Sequence, residues 1–396
     1  MSLHKRSKAL LKTLYQNISF EVVHAFLSLM FKLFRFDYSK ARNGVVGFLA
    51  FNAMPIRKNC ILMLEPQNIH AETMPGFVKY FMDLGFAVDV YTASKNQRLN
   101  SFARMNTDNM NIFAANPSIM MRVLQLEKLG QYEYIFFNSG IKSFGIEKVD
   151  RNLTLLSSRI IALEHRQDAL PEDLSNTFVL DDLSEAGSLR PRTVHPYFFG
   201  NVSITGKKRD TVDFISIGRF GRGIRDYESL FDAMRYLLTA GITNFHVSLM
   251  GRGKIRFKIP QEIRPYITVY SNKPFEECFQ KLEESDFFLT LLNPLVEEHQ
   301  RYLSASTSGS LQLIYTFLKP CIINEVFARK YSFTPKDSIL YPDSTALGEA
   351  LARAVLLSSE DYAAMQGELA KKAEDKRELS LKNLKATLCE PGYANK

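Results

Sequence analysis

The chain has 396 residues, a length that fits about two domains and excludes a single small module. With 46% hydrophobic and 23% charged residues, 20 Gly and 15 Pro, it is not a disordered, collagenous or low-complexity protein. Lys and Arg outnumber Asp and Glu 50 to 42, but residues 1–58 alone hold ten of the bases (Lys5, Arg6, Lys8, Lys12, Lys32, Arg35, Lys40, Arg42, Arg57, Lys58) against Glu21 and Asp37. The remaining 338 residues carry 40 of each sign, so the body offers no broad cationic surface for nucleic acid.

The basic charge predicts a partner near the N-terminus. From Ile18 to Phe36 the chain is apolar except for a stripe of Asn17, Glu21, His24, Ser28, Lys32 and Arg35 at helical spacing. A broad apolar face with a polar stripe, preceded by Lys5, Arg6, Lys8 and Lys12, suits a helix lying in the headgroup region of an anionic membrane. The charges interrupt any span, and no small-residue cleavage site marks a secretory signal. Residues 1–36 therefore read as a peripheral anchor to the inner, cytoplasmic face of the plasma membrane; the alternative is a helix packed on the body of the protein. Cys60, Cys278, Cys321 and Cys389 are far apart with no C-x-x-C pair, as expected of buried thiols in a reducing cytoplasm.

After Lys58, short β-rich runs alternate with helical segments, the pattern of βαβ units and a parallel sheet. Strands are predicted at Cys60 to Leu64, Ala87 to Tyr91, Met110 to Ala114, Tyr134 to Phe137, Ile160 to Leu163 and Phe178 to Leu180, with helices over Met74 to Leu84 and Ser118 to Leu129. The polar, basic stretch Thr205 to Asp210 then marks a boundary. A second series follows, with strands at Phe214 to Ile217, Phe245 to Leu249, Ile267 to Tyr270, Phe287 to Leu292 and Cys321 to Asn324. Its helices are predicted over Tyr227 to Ala240, Glu276 to Glu284 and Leu311 to Phe317. The expected architecture is α/β: two doubly wound Rossmann-like domains facing a cleft, with an N-terminal amphipathic helical extension. The segments are 1–58 (basic extension), 59–204 (first domain), 211–358 (second domain) and 359–396 (helical tail).

Ligands of such sheets lie at the carboxyl ends of the strands. There the second half places Gly218-Arg219-Phe220-Gly221-Arg222-Gly223-Ile224-Arg225 and Gly251-Arg252-Gly253-Lys254, two glycine- and arginine-rich loops. Ser306-Thr307-Ser308-Gly309-Ser310 immediately precedes a helix, whose free amides and positive end favour an anion. Together these form a diphosphate site that needs no metal; taken separately they read as a capped helix and solvated loops. There is no Walker-type or G-x-G-x-x-G signature, which argues against a P-loop nucleotidase and a simple dehydrogenase. Asp181 and Asp182 read as caps of a following helix rather than metal ligands.

The tract Glu297-Glu298-His299-Gln300-Arg301-Tyr302-Leu303, then Ser306 to Gln312, then Phe317-Leu318-Lys319-Pro320-Cys321-Ile322-Ile323 resembles the donor-binding region of GT-B sugar-nucleotide glycosyltransferases. Within that family it is similar to the membrane-associated glucuronosyltransferase of xanthan synthesis. The resemblance implies a metal-independent transferase with no cofactor. It would move a sugar from a nucleotide diphosphate sugar to a lipid-linked or lipopolysaccharide- or capsule-type glycan of the bacterial cell surface. It assigns donor binding to Arg219, Arg222, Arg225, Arg252, Glu298, Tyr302, Thr307, Ser308, Gly309, Ser310 and Gln312. Ser310 stands where that enzyme has a lysine, and no second glutamate enters the helix. Both departures point to an inverting reaction in which one of Arg219, Arg222 and Arg225 supplies the cation.

An inverting transferase needs a general base. The resemblance makes Asp168, in Leu163-Glu164-His165-Arg166-Gln167-Asp168, the first candidate, with Glu164 in the same loop and His70, after the first strand, as the rival. Two other functions share the architecture. One is a nucleotide-sugar 2-epimerase; the other is a catalytically silent GT-B subunit that binds a partner transferase.

Overall fold

The computed structural model describes Val22 and residues 39–65, 70–115, 123–140, 157–171, 174–184, 190–196, 210–221 and 223–388. The stripe from Asn17 to Arg35 lies outside these residues apart from its neighbour Val22, as does Cys389. No helix among the described residues is long and apolar enough to cross a membrane. Two compact units emerge: Met1–Glu164 with Pro171–Phe178 and Lys385–Lys396, and His165–Leu170 with Val179–Leu384.

In the first unit, helix α1 (Ser39–Ala53) precedes β1 (Cys60–Glu65), α2 (Met74–Asp83), β2 (Ala87–Ala93), the short α3 (Ser94–Leu99), β3 (Met110–Ala115), β4 (Tyr134–Phe137), β5 (Ile160–Leu163) and β6 (Thr177–Val179). With the two-residue β7 (Arg192–Thr193), the sheet has the order β3-β2-β1-β4-β5-β6-β7. Strands β1 to β6 pair in parallel. A parallel sheet is covered on both faces, so its strands are continuous apolar runs. All six residues of β1, CILMLE, are buried.

Residues 39–53, inside the segment read from sequence as an extension, form α1. It buries Val45, Phe48 and Phe51 in the first core. Gly47 lets it approach β3, since a Cβ there would lie 2.2 Å from the Ala114 carbonyl oxygen. Helix α2 starts with Pro75 in its first turn and is followed by Gly85 at φ +88°, the left-handed stop that glycine adopts without strain. The helix expected to end at Leu129 is different: Leu126 is extended, and Glu127–Gln131 is a 3-10 turn that contains Gly130.

The second unit contains β8 (Val212–Arg219), α4 (Tyr227–Thr239), β9 (Phe245–Arg252), β10 (Ile267–Ser271), α5 (Phe275–Glu284), β11 (Phe287–Leu289), α6 (Glu297–Ser304), α7 (Gly309–Phe317), β12 (Cys321–Asn324), α8 (Glu325–Lys330), β13 (Ser338–Tyr341), α9 (Leu347–Leu356) and α10 (Ser359–Leu388). Its sheet has the order β10-β9-β8-β11-β12-β13, parallel throughout. The core joins Phe214, Val247, Leu249, Phe287 and Ile322 of the sheet to Leu230, Met234 and Leu237 of α4 and to Leu351 and Ala354 of α9. Each sheet thus presents the carboxyl ends of its strands, with their loops, along one edge.

Candidate functional site

In the second unit the loop after β8 turns one arginine inward. Arg225 is 7% exposed. Its Nη2 donates to the Ser310 hydroxyl at 2.7 Å, the Ser308 hydroxyl at 3.3 Å and the Ile217 carbonyl at 3.2 Å, while Nη1 donates to the Ile224 carbonyl at 2.9 Å. Among the described residues its Nε has no partner, and no carboxylate pairs with the guanidinium. Gly218 makes room for it, since a Cβ there would stand 3.1 Å from Nη2. The result is a nearly buried cation at the start of α7, with no acid paired to it among the described residues.

The start of α7 is correspondingly open. Its N-cap, Ser308, makes no side-chain cap bond because its hydroxyl faces Arg225 and Ser310, the latter at 3.0 Å. The buried Thr307 hydroxyl has no partner among the described residues. A helix N-terminus without a side-chain cap, two hydroxyls and a nearly buried guanidinium converge on one place, the chemistry that holds a diphosphate.

Around it the loops are braced. Asp226, just before α4, accepts from the Ser229 amide at 3.1 Å and from the Asn293 side-chain amide at 2.7 Å. The Asn293 amide donates to Nδ1 of buried His299 at 2.9 Å; burial, and then the nearby Arg225 charge, lower the basicity of that imidazole. Gly223 sits at φ +69° against the Glu298 carboxylate, where a Cβ would lie 2.5 Å from its carbon.

The sequence-named donor residues therefore divide. Arg225, Ser308, Ser310 and Gly309 come together with Thr307 next to them, and Glu298 abuts the loop at Gly223. Arg219 is exposed and pairs in register with Arg252, which lies over the Phe275 ring at 4.9 Å. Tyr302 is buried and its hydroxyl accepts from Arg301 at 2.7 Å. Arg222 lies outside the described residues. Gln312 faces elsewhere: its amide donates to the Asp181 carboxylate at 3.0 Å.

Asp181 and Asp182 differ from the expected pair of caps. Asp182 closes a local turn on the Ser184 amide at 2.9 Å, whereas Asp181 turns into a buried cluster with Lys376 at 3.5 Å and His195 at 3.7 Å. Burial, reinforced by the Lys376 charge, keeps His195 neutral, so the ion pair is Asp181 with Lys376. Neither Lys376 nor His195 has a local sequence signal; Asp226 directly before a helix, by contrast, is a legible N-cap.

The candidate bases fall in both units. Asp168 belongs to the second, in a loop joined to the α6–α7 turn by an antiparallel bridge of Arg166 to Ser306 and by the Gln167 amide on the Ala305 carbonyl at 2.7 Å. Its carboxylate is taken by Arg166 at 3.0 and 2.5 Å, and hydrogen bonding from that guanidinium lowers its basicity. His70 and Glu164 belong to the first unit, beyond the ends of β1 and β5. The Glu164 carboxylate lies against the Cα of Gly140, where a Cβ would clash at 1.7 Å. His70 has φ +56° and its Nδ1 lies 3.9 Å from Glu72. Burial lowers its pKa to about 4, so its imidazole is neutral at neutral pH. Among the described residues no group of three or more His, Cys, Asp or Glu side chains is placed to hold a metal ion.

No protein-family model matches the chain, and no curated protein matches its sequence. Solved structures do match. A glycosyltransferase from Rickettsia africae ESF-5 has a TM-score of 0.52 at 9% identity, over 86% of this chain and 100% of that one. Arabidopsis thaliana UGT89C1 complexed with quercetin has a TM-score of 0.50 at 12% identity, over 84% and 98%. The spinosyn forosaminyltransferase SpnP has a TM-score of 0.50 at 10% identity, over 84% and 99%. What is shared is the fold, the GT-B type with two Rossmann-like domains.

Proposed function

We propose that the chain is a metal-independent glycosyltransferase that moves a sugar from a nucleotide diphosphate sugar to a glycan acceptor with inversion at the anomeric carbon. The observation that carries this reading is the nearly buried guanidinium of Arg225, with no acid partner among the described residues, on the Ser308 and Ser310 hydroxyls at the start of α7, which has no side-chain cap. Desolvating a cation without a counter-ion is costly, and the two phosphates of a sugar donor restore the balance. A leaving diphosphate stabilised by a fixed guanidinium, hydroxyls and helix amides needs no divalent ion. The fold shared with the Rickettsia and Arabidopsis glycosyltransferases supports the same reading.

The base is His70, whose imidazole is unprotonated at neutral pH and has Glu72 close enough to pair with its Nδ1 as the acceptor proton transfers. Asp168 is the second reading, favoured by its place in the loop bridged to Ser306. A lipid-linked acceptor at the cytoplasmic membrane face, of the kind the likeness to the xanthan enzyme implies, rests on the basic, amphipathic residues 1–36.

Titration calorimetry with a panel of nucleoside diphosphates tests the donor site. One of them should bind, and Arg225→Met should weaken it by about 1.5 to 3 kcal/mol, the range for a charge-assisted hydrogen bond. Unchanged affinity in that variant and in Ser310→Ala, or no binding by any of the panel, overturns the reading. Conversion of a nucleotide sugar without an acceptor to its 2-epimer would identify the epimerase. Donor binding with neither transfer nor hydrolysis would identify the silent subunit.

A further inference from the structure

At the carboxyl end of β1 the first unit buries a carboxylate that the apolar sheet does not need. Glu65, the last residue of β1, is fully buried, as are Thr73 and Asn138, with Ser139 2% exposed. Glu65 Oε2 accepts from the Asn138 side-chain amide at 3.0 Å and from the Ser139 hydroxyl at 2.5 Å. Both donors lie just beyond β4, whose register against β1 (Leu64 opposite Phe137) sets Asn138 beside Glu65.

The second hydrogen of the same Asn138 nitrogen goes to the backbone carbonyl of His70 at 3.0 Å. The Thr73 hydroxyl stands 2.8 Å from that carbonyl and 2.8 Å from Asn138 Oδ1, and the Thr73 amide donates to it at 3.2 Å. Thr73 is the N-cap of α2 but makes no side-chain cap bond; its hydroxyl serves His70 and Asn138 instead of the helix. Two N–H donors, from Asn138 and Thr73, thus meet at the carbonyl of a residue whose own backbone is left-handed, at φ +56°, with the single-proton Thr73 hydroxyl between it and Asn138 Oδ1. That conformation is unfavourable for a side chain with a Cβ and persists only where surrounding bonds impose it.

A buried carboxylate retained among apolar strands must be compensated by hydrogen bonds, and here those bonds end on one strained peptide. We propose that Glu65 and Asn138, with the Thr73 hydroxyl, are positioning residues that clamp the His70 carbonyl and thereby aim its imidazole at the acceptor hydroxyl. This rests on His70 being the base. The carboxylate fixes which way the Asn138 amide points, since its two hydrogens must reach Glu65 and His70 while its oxygen takes the Thr73 proton. The imidazole is then held by its own main chain and need not find its direction in each encounter.

The test is steady-state kinetics on the folded full chain with saturating donor, for Asn138→Ala, Thr73→Val, Thr73→Ser, His70→Ala and the double variant of Asn138→Ala with His70→Ala. Misaiming a base by about an ångström costs on the order of 100-fold in rate, so Asn138→Ala should lose that much kcat with donor KM unchanged. Thr73→Val should lose rate in the same way, and Thr73→Ser should recover most of it. In the double variant the losses should not multiply, because a base that is absent cannot be misaimed. Wild-type kcat in Asn138→Ala, multiplying losses in the double variant, or equal rates for Thr73→Val and Thr73→Ser overturn the clamp while leaving His70 as base. Full activity in His70→Ala overturns the base assignment itself. Should Asn138→Ala fail to fold, the two Thr73 variants decide, since they differ in a methyl group and a hydroxyl.

Discussion

Gln312 donates its side-chain amide to the carboxylate of Asp181 at 3.0 Å, which joins the helix at the candidate diphosphate site to a half-buried ion pair. Gln312 lies one turn into α7, behind Ser308 and Ser310. Asp181 in turn meets Lys376 of α10 at 3.5 Å, and Lys376 stands over the ring of Tyr315, another α7 residue, at 5.0 Å. The long C-terminal helix therefore grips the same helix that presents its amides to the donor.

That arrangement predicts a stability effect that reaches the donor site. Replacing Lys376 with Met leaves the Asp181 carboxylate buried without its cation, and breaking such a pair is far more costly than removing both partners. Lys376→Met should lose about 2 to 4 kcal/mol in urea unfolding, and Asp181→Asn added to it should restore more than half. Additive losses in the double variant would show that the two groups do not interact.

Gly218 should matter for a steric reason. A Cβ there would meet the Arg225 guanidinium at 3.1 to 3.2 Å, and the guanidinium has little room to retreat because it is nearly buried. Gly218→Ala should displace Arg225 from Ser310 and weaken nucleoside diphosphate binding roughly tenfold, about 1.4 kcal/mol, while thermal unfolding changes little. Equal affinities in calorimetry would mean that Arg225 is not a ligand.

Much of this was legible before any coordinates, for a physical reason. Tyr134–Phe137, Ile160–Leu163 and Cys321–Asn324 are fully or nearly buried parallel strands, so they appear as unbroken apolar runs between turn residues. The four-residue β13 has no such run, because Ser338 opens it and its apolar stretch is too short to stand out. The two glycine- and arginine-rich loops and the Ser306–Ser310 helix start read from sequence as a diphosphate site, and in the structure one of those arginines, Arg225, meets Ser308 and Ser310. Which arginine turns inward was not legible: that depends on the space over Gly218, a tertiary fact. Asp181 read as a cap because its partners His195 and Lys376 come from distant segments with no local pattern. The Glu65 network was equally hidden, since a Glu at the end of an apolar run reads as a strand terminus.

Acid should destabilise the fold in part through His70. Its pKa is lowered from 6.5 to about 4 by burial, so between those values the unfolded chain binds more protons than the folded one, and stability rises with pH. The contribution is complete above about 6.5 and is lost progressively as pH falls to about 4. His195, also depressed by burial, adds in the same direction. Urea midpoints measured from pH 4 to 7 should fall less steeply for His70→Gln than for the unaltered chain, and identical slopes would contradict the lowered pKa of His70.

The two candidate bases make opposite predictions for paired substitutions. Asp168 is already committed, since Arg166 occupies both of its carboxylate oxygens and lowers its basicity, and both side chains are open to solvent. The His70 imidazole, in a left-handed turn beyond β1, stands instead with its Nδ1 3.9 Å from Glu72. His70→Ala should therefore lower kcat by roughly 100-fold or more with donor affinity preserved, while Asp168→Asn and Arg166→Met stay within a few-fold of the unaltered chain. Single-turnover rates with bound donor separate this from slow product release. A collapse of the chemical step in Asp168→Asn, with His70→Ala close to full rate, would move the base to the loop bridged to Ser306. Arg166 would then be the residue that restrains it, and Arg166→Met should shift the acid limb of the rate profile upward toward the ordinary carboxylate range.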